Sequence, residues 1–260
     1  MFVILGRYII SFLEEVGGIA ILAGRAFRRA AEIFRNLGGL LFQMERIGIG
    51  SIPLVLVTSL FVGAVTAVQA AYQFQGFVPL RYLGAVVGKA VTLELGPVLT
   101  ALVVGGRVSA AMAAELGTMK VTEQIDAMKM IAIDPVDFLV IPRIAAAVIM
   151  LPVLTIFSNL LAITGGMLVA DLTVGIDPHV FGEGLKLLFR YQDVIGGLIK
   201  SVFFGYIIAL MGCYYGFHTE GGAEGVGMAT MKSVVSSCLL ILVSNYLLAN
   251  IIFRIIFAPN

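Results

Sequence analysis

Long stretches without charged residues alternate along the chain with short polar segments. Four such stretches are close to 20 residues long: Ser51 to Phe74, Ile144 to Ala170, Val194 to Phe217 and Ser233 to Phe253. Backbone polar groups inside the hydrocarbon must be paired within their own segment, so these stretches predict membrane-spanning helices. Only Lys200 interrupts one of them. We expect its long side chain to reach the lipid headgroups at the helix end.

A fifth apolar stretch, near Leu83 to Ala113, is less regular because it contains Lys89, Glu94 and Arg107. A charge inside a span costs at least ~2.5 kcal/mol, so Glu94 must face a cavity, find a partner or lie near an interface. Pro97 removes a helix hydrogen bond and is expected to kink the span there. Glu94 is therefore either part of a transport pathway or a structural carboxylate that a neighbouring helix satisfies.

The first 46 residues have the polar spacing of an amphipathic helix. Its polar stripe is Arg7, Ser11, Glu14, Gly18, Arg25, Arg28, Glu32 and Arg35. Such a helix is expected to lie in the membrane interface as an anchor. A sixth span is the alternative, because residues 17–24 are apolar. A signal peptide is not expected, since Glu14 and Glu15 interrupt the apolar start.

The composition excludes a water-soluble chain. Hydrophobic residues make up 60% of the 260 residues and charged residues 13%, where soluble domains have about 45–50% and about 25%. The formal net charge of +1 gives no overall field to recruit nucleic acid. The sequence therefore predicts an all-α integral membrane protein with an N-terminal interfacial amphipathic helix (1–46) and a polytopic region of about five transmembrane helices (47–260).

The distribution of Lys and Arg predicts how the chain crosses the membrane. Basic residues collect before the first span and between the second and third: Arg25, Arg28, Arg29, Arg35, Arg46, Arg107, Lys120, Lys129 and Arg143. These regions should face the cytoplasm. The N-terminus is then cytoplasmic and the C-terminus external. A glycine-rich loop, His218 to Met231, is expected before the last span as a flexible turn.

Small residues recur every four positions on two of the spans. The first row is Gly105, Ser109, Ala113 and Gly117, and the second is Ser201, Gly205, Ala209 and Cys213. Such rows allow helix backbones to approach closely in a membrane. Packing within the chain is favoured over a seam between two copies for both rows.

A polar segment of about 113–142 separates the second and third spans. Thr122 is a plausible N-cap for a short helix, and Asp134-Pro135 should stop it. Ile125 and Met128 would share one side of this helix, opposite Glu123, Asp126 and Lys129. Such a helix either rests on the membrane or docks into a cytoplasmic partner.

A series of short motifs covers the centre of the chain. They are Glu94-Leu95-Gly96-Pro97, Gly106-Arg107, Ala114-Glu115-Leu116-Gly117, Thr122-Glu123-Gln124, Ala127-Met128, Asp134-Pro135, Pro142-Arg143 and Leu151-Pro152. Together with the N-terminal segment and the five spans, they resemble the MlaE (YrbE) family of ABC-transporter permeases. The resemblance implies a homodimer bound to two cytoplasmic ATPase subunits and to periplasmic MCE-domain lipid-binding proteins. It implies transport of phospholipid between the inner membrane and the outer envelope.

The resemblance also assigns roles to residues. It implies that the segment from Ala113 to Asp134 meets the ATPase, with the coupling residues Glu115, Gly117, Thr122, Glu123, Gln124, Asp126 and Met128. It implies that Glu94 lies by a lipid cavity at the dimer interface. From their positions in the sequence we expect Leu93, Pro97 and Lys89 beside it, and as other candidate headgroup neighbours the polar residues at the end of the first span, Gln69, Tyr72, Gln73 and Gln75. Some members of the family have an arginine immediately before the glutamate, where this chain has Leu93. Lys89 is the candidate substitute.

The chain has no phosphate-binding loop, since its one Gly-Lys pair, Gly88-Lys89, is followed by alanine. We therefore expect no enzyme activity and no bound cofactor in this chain, with ATP used by a partner subunit. No metal is expected either, because His179, His218, Cys213 and Cys238 do not have the spacing of a zinc site. Two other functions stay open on the residues alone. One is an ion- or proton-coupled secondary transporter with Glu94 as its titrating group, and the other is a non-transporting membrane scaffold of an envelope complex.

Overall fold

The computed structural model describes residues 2–29, 36–74 and 78–255, with side chains from residue 9 to 254 apart from 11 and 12. Predictions that concern the side chains of Arg7, Ser11, Glu32, Arg35 and Gln75 lie outside the described residues. The described ranges are almost entirely helical and contain no strand.

Ten α-helices follow one another along these ranges. They are α1 (Phe2–Arg28), α2 (Leu37–Gly48), α3 (Ile52–Phe74), α4 (Leu83–Ala90), α5 (Gly96–Val121), α6 (Gln124–Met130), α7 (Ile141–Val169), α8 (Pro178–Leu188), α9 (Tyr191–Phe217) and α10 (Gly222–Ile255). Single turns of tighter or wider helix join several of them, so that α2 runs into α3 through a 3₁₀ turn at Ile49–Ser51.

Five continuous helical stretches are long and apolar enough to cross a membrane: Leu37–Phe74, Leu80–Val121, Val136–Val174, Tyr191–Phe217 and Gly222–Arg254. The predicted all-α membrane protein with five spans is thereby confirmed. The stretches are longer than the uncharged runs in the sequence because the helices continue into polar residues on both sides. The N-terminal α1 is not among these five.

The glycine-rich loop predicted at His218 to Met231 is wrong. Helix α10 begins at Gly222, and the turn between α9 and α10 is confined to residues 218–221. Gly221 and Gly222 have positive φ angles of 86° and 70°, which glycine adopts without a Cβ penalty. Gly225 lies in the first turns of α10, where a Cβ would collide with the Glu220 carbonyl oxygen. These glycines serve a tight turn and a close approach and do not form a long flexible loop.

The chain divides into two compact units, and the first consists of Met1–Glu45, Gly105–Ala147 and Tyr206–Cys238. Within it, α9 packs closely against α5, because a Cβ at Gly212 would lie 2.9 Å from the Met112 side chain and one at Gly216 would lie 2.6 Å from that of Leu116. The Tyr206 hydroxyl donates a 3.0 Å hydrogen bond to the Ala23 carbonyl oxygen, which joins α1 to α9.

The second unit consists of Arg46–Val104, Val148–Gly205 and Leu239–Asn260. Its apolar core joins α3, α4 and α8 around residues such as Ala67, Leu83, Val87 and Phe181. Glycine allows backbone contact where α3 crosses α7 and where α4 crosses α8. A Cβ on Gly63 would collide with the Ala162 carbonyl oxygen, and one on Gly84 with the Phe181 carbonyl oxygen.

Candidate functional site

Glu94 lies in a π-helical turn, Val91–Leu95, between α4 and α5. Pro97 explains this turn. In an α-helix the backbone N–H of residue 97 would donate to the Leu93 carbonyl, but proline has no N–H. The helix therefore widens by one residue, as π turns inside helices do at functional sites. The sequence predicted a kink at Pro97, and the structure has a π turn that ends two residues before this proline.

The Leu93 carbonyl that Pro97 leaves free accepts a hydrogen bond from Lys200 Nζ at 3.2 Å. The same ammonium group forms an ion pair with Glu94, at 2.5 Å from Oε1. The Asn245 side-chain amide donates to the other oxygen, Oε2, at 3.1 Å. Both carboxylate oxygens of Glu94 are thus satisfied by residues of α9 and α10.

Lys200 does not extend to the headgroups, and that prediction is wrong. Its side chain is 2% exposed, and it begins nine residues into α9 (200 − 191), roughly 14 Å from the helix start. A nearby carboxylate and a free carbonyl offer the ammonium group a better position than extension to the membrane surface.

Two glycines on α9 bring Lys200 to the π turn. A Cβ at Gly197 would collide with the Thr92 carbonyl oxygen, and one at Gly196 would lie 3.2 Å from Ile252. Gly196 and Gly197 precede Lys200 by four and three residues, so they lie on its face of the helix. This Gly-Gly-x-x-Lys spacing is the sequence signal that could have indicated Lys200 as the partner of Glu94.

The Glu94 side chain is 39% exposed, although its partner is fully enclosed. Part of the Glu94 side chain is therefore accessible from outside this unit, while Lys200 and Asn245 bind the carboxylate from the other side. We define the Glu94 site as Glu94, Lys200, Asn245 and the Leu93 carbonyl.

Further polar groups surround the Glu94 site. Ser59 and Ser158 share a buried hydrogen bond of 2.7 Å between their hydroxyls, and a Cβ at Gly96 would collide with Asn159 Oδ1. The buried side-chain oxygens that lack a hydrogen-bond partner among the described residues include those of Thr92, Thr100, Asn159 and Asn245. The sequence analysis did not identify these residues, because single Ser, Thr and Asn residues in apolar runs give no spacing signal.

The remaining residues predicted for the lipid cavity are not joined to the Glu94 site. Lys89 is half-buried, and Gln69, Tyr72 and Gln73 are exposed on α3. Val62 of α3 lines a small cavity together with Leu95 and Gly96, the two residues that follow Glu94. Gln73 comes eleven residues after Val62 (73 − 62), so it lies roughly 16 Å further along the axis of α3.

In the polar segment between α5 and α7, the short helix α6 begins and ends at other residues than the sequence predicted. Helix α5 continues to Val121, and α6 begins after Glu123, whose φ of 59° marks a sharp left-handed turn. Thr122 is not the N-cap, so that prediction is wrong. Its hydroxyl donates to the Thr118 carbonyl at 2.8 Å and accepts from the Gln124 side chain at 3.0 Å.

Asp134-Pro135 does not stop α6, which ends at Met130. Instead Asp134 Oδ1 accepts from the Val136 backbone N–H at 2.9 Å, which is the position of a cap for the helix that follows. Arg29, at the end of α1, bridges the carboxylates of Asp134, at 2.8 Å, and Asp137. The polar segment is thereby tied to the N-terminal helix.

Asp126 lies between two lysines, at 2.9 Å from Lys120 Nζ and 2.8 Å from Lys129 Nζ. Hydrogen bonds from Lys120 and then Lys129 lower the pKa of Asp126 to about 2. This carboxylate is ionised and paired at any physiological pH, so it offers a partner little unpaired negative charge.

Glu115 and Gly117 also have partners inside the chain. Arg143 is buried and forms an ion pair with Glu115 at 3.1 Å, while its other terminal nitrogen donates to the Leu139 carbonyl at 2.7 Å. A Cβ at Gly117 would lie 2.7 Å from Thr219 Oγ1. These two residues position the segment from within.

The apolar residues of α6 divide between core and surface. Ile125 is buried and Met128 is half-buried, whereas Met130 is 88% exposed and Ile131 is 68% exposed. We call Met130 and Ile131 the α6 tip. These are the two most exposed large apolar residues of the polar segment, and the sequence analysis missed them because periodicity placed the apolar face at Ile125 and Met128.

The rows of small residues lie inside the chain. Gly105, Ser109 and Ala113 of α5 are buried, as are Ser201, Gly205, Ala209 and Cys213 of α9. Ser109 contributes a backbone carbonyl that accepts a 3.3 Å hydrogen bond from the Ser233 hydroxyl on α10.

Five membrane-length helices in the described ranges define a polytopic membrane protein, and one of its ion pairs has an enclosed lysine. Comparison with known proteins identifies its kind: residues 40–251 match the family model Permease MlaE. The chain belongs to the MlaE permease family, as its motifs predicted.

Curated relatives agree over almost the full length. A probable ABC transporter permease protein of Rickettsia typhi is 39% identical over 252 residues, covering 97% of both chains. One from Synechocystis is 41% identical over 233 residues, covering 90% of this chain and 89% of the relative. The Arabidopsis thaliana chloroplast protein trigalactosyldiacylglycerol 1 is 35% identical over 236 residues, covering 91% of this chain and 67% of the relative. The chain is therefore a transporter permease, and membership of this family implies ATPase partner subunits.

Proposed function

We propose that this permease moves phospholipid between an inner membrane and an outer envelope, using a lipid cavity beside Glu94 at the interface of a homodimer. Cytoplasmic ATPases would supply the energy, and a periplasmic MCE-domain protein would exchange the lipid. The observation that carries the proposal is the Glu94 site, an ion pair inside a membrane span with one partner enclosed and the other 39% exposed.

The chemistry of the pair suits a lipid pathway. An ionisable group within a span is costly and marks substrate pathways, and Lys200 offsets the charge without covering Glu94. The name of the Arabidopsis relative refers to a galactolipid, which supports a lipid cargo. The exposed apolar faces of α3 and α10, with residues such as Phe61, Val65, Leu239 and Val243, offer surface for acyl chains or a second copy.

The proposed mechanism is a population shift. A cavity alternates between states that bind lipid with different affinity, and ATP binding to the partner biases that equilibrium. The polar segment would receive the ATPase, with the α6 tip as the apolar contact, while Glu115 and Arg143 fix its position. The N-terminus would face the cytoplasm and the C-terminus the periplasm.

Lipid transfer by the reconstituted complex tests the proposal. Permease, ATPase and MCE-domain partners are placed in vesicles, and movement of a fluorescent phospholipid to acceptor protein is followed with and without ATP. We expect ATP-dependent transfer that Glu94→Gln and Glu94→Ala reduce at least ten-fold while the complex still assembles. Glu183→Gln, on the exposed surface of α8, is the matched control and should transfer normally.

Other results would favour the other functions. Transfer that continues without ATP and stops with an uncoupler would identify a proton-coupled carrier. No lipid movement in an assembled complex would leave only a scaffold. Normal transfer in both Glu94 variants would remove Glu94 from the pathway.

The ATPase contact has a separate test. Met130→Asp with Ile131→Asp should abolish co-purification of the ATPase, because charges replace the apolar tip. Leu187→Asp with Leu188→Asp changes two neighbouring exposed apolar residues of α8, outside the polar segment, and is the matched control. An ATPase that still co-purifies with the tip variant would refute docking at this place.

A further inference from the structure

A second polar site lies in the first unit, where α1 passes the end of α9 and the start of α10. These three helices border an open cavity of about 810 Å³, within the range of about 300–1,000 Å³ in which proteins bind small molecules. The Glu94 site contributes no residue to it. The lining is unusually acidic for a membrane protein, since it includes Glu14, Glu15, Glu220 and Glu224.

These carboxylates have little internal compensation. Glu15 accepts a 2.6 Å hydrogen bond from the Tyr215 hydroxyl. None of the four forms an ion pair with another residue within 2–29, 36–74 and 78–255. Lys232 is the single lysine in the lining. The cavity therefore carries an excess of negative charge that a cationic ligand would neutralise.

Tyr214 independently indicates a ligand. The residue is 6% exposed and lines the cavity, yet its hydroxyl has no hydrogen-bond partner among the described residues. A tyrosine as buried as this one ordinarily has a partner for its hydroxyl. The hydroxyl oxygen of Tyr214 is not one of the fully enclosed polar atoms that lack a partner, so it opens into the cavity. Gly18 leaves room for this hydroxyl, since a Cβ there would lie 2.8 Å from it. The hydroxyl is thus kept at the cavity wall, unsatisfied and able to accept a hydrogen bond.

His218 adds another acceptor to the same wall. Its ring stacks on Tyr214 with centroids 4.3 Å apart, and Nδ1 lies 2.8 Å from the Tyr214 carbonyl oxygen. A carbonyl oxygen only accepts, so Nδ1 carries the hydrogen, and in the neutral ring Nε2 is left as an acceptor.

The kind of cation follows from these groups. A primary ammonium has three N–H donors, which match carboxylate, hydroxyl and imidazole acceptors. A compact metal ion fits less well, because no three His, Cys, Asp or Glu residues converge on one point in the described ranges. Lys232, on the same lining, suits the phosphate of a zwitterionic headgroup.

We propose that this cavity binds a primary ammonium group at the membrane boundary, carried by a lipid headgroup or by a free amine. Its position at the end of α9, on the side that the proposed orientation assigns to the cytoplasm, makes it accessible to inner-leaflet lipid and to soluble amines. Binding here requires neither ATP nor transport, so the proposal stands or falls separately from the proposed function.

Native mass spectrometry of the delipidated full-length protein in detergent tests it. The protein is titrated with short-chain phosphatidylethanolamine, with the same lipid N-acetylated, and with ethanolamine, and bound ligand is identified by mass. We expect binding of an unmodified amine and at least ten-fold weaker binding of the N-acetylated lipid. Binding of phosphatidylethanolamine alone identifies a headgroup site, whereas binding of ethanolamine identifies a site for free amines.

Variants locate the binding. Glu220→Gln with Glu224→Gln, and separately Tyr214→Phe, should each weaken amine binding at least five-fold while circular dichroism and elution volume stay unchanged. Glu183→Gln is the control with the same chemical change on exposed α8. Equal affinity for the N-acetylated lipid, or affinity unaffected in both the double variant and Tyr214→Phe, would overturn the proposal.

Discussion

At the scale of single residues, the ion pair between Lys200 and Glu94 determines how the π turn is held. Lys200 has two acceptors, the Glu94 carboxylate and the carbonyl that Pro97 leaves unpaired. Removing one partner of an enclosed pair leaves the other charge uncompensated, which costs more than the pair contributes.

Lys200→Met should therefore lower the free energy of unfolding by about 2–3 kcal/mol. This is less than the ~3–5 kcal/mol of a fully buried pair because Glu94 is partly exposed. Adding Glu94→Gln removes the stranded charge and should restore part of the loss. Unfolding of both variants in detergent, followed by circular dichroism, measures the two values. A double variant as unstable as Lys200→Met would show that the charges do not interact.

Asp126 allows a test by pH. Its lysine partners lower its pKa to about 2 from an ordinary 3.8, so the pairing is complete above pH 3.8 and is lost as the pH falls toward 2. A carboxyl carbon resonance assigned to Asp126 should titrate near pH 2 in the intact protein. In Lys120→Met with Lys129→Met its midpoint should return toward 3.8. An unchanged midpoint in that variant would contradict the pairing.

At the scale of helices, glycine decides which pairs can touch. Gly63 of α3 faces the Ala162 carbonyl of α7 so closely that no side chain fits, whereas Gly106 of α5 has nothing within 4 Å of its missing Cβ. The two glycines look alike in the sequence and differ only in their surroundings.

Gly63→Ala should destabilise the protein by about 2 kcal/mol or more, because α3 and α7 must separate to admit a methyl group. Gly106→Ala is the matched control and should be neutral or stabilising by up to about 1 kcal/mol, since alanine favours the helix. Thermal unfolding in the same detergent compares them. Equal behaviour of the two variants would mean that α3 and α7 are not in backbone contact.

The sequence predicted helices well and helix partners poorly. Uncharged runs locate spans because the membrane requires a fixed apolar length, so five spans were predicted correctly. The partner of Glu94 depends on which face of α9 meets the π turn, and periodicity along one helix does not contain that information. Lys200 was therefore assigned to the membrane surface. Thr122 is a residue type that often caps helices, but the N-cap residue of α6 is Glu123, which has a left-handed backbone conformation.

At the scale of the whole molecule, the distribution of Lys and Arg makes a prediction about sidedness. In a chain with Cys213→Ala and Cys238→Ala, single cysteines at Met130 and Leu187 would both be exposed. A membrane-impermeant thiol reagent applied to intact cells, after opening of the outer membrane, should label Leu187→Cys and spare Met130→Cys. Lysed cells should label both. The reverse pattern would invert the proposed orientation.

The π turn at Val91–Leu95 also determines the direction in which the side chains after it point around the helix axis. One additional residue in a turn rotates everything beyond it by about 100° relative to an uninterrupted α-helix. A single helical wheel drawn from Leu83 through Val104 therefore assigns the later residues to the wrong side. Deleting one residue within Val91–Leu95 would keep the span long enough for the membrane, yet it would turn every later side chain of that span away from its present neighbours. The span could cross the membrane without the additional residue of the π turn, but that residue sets the direction in which all its later side chains point.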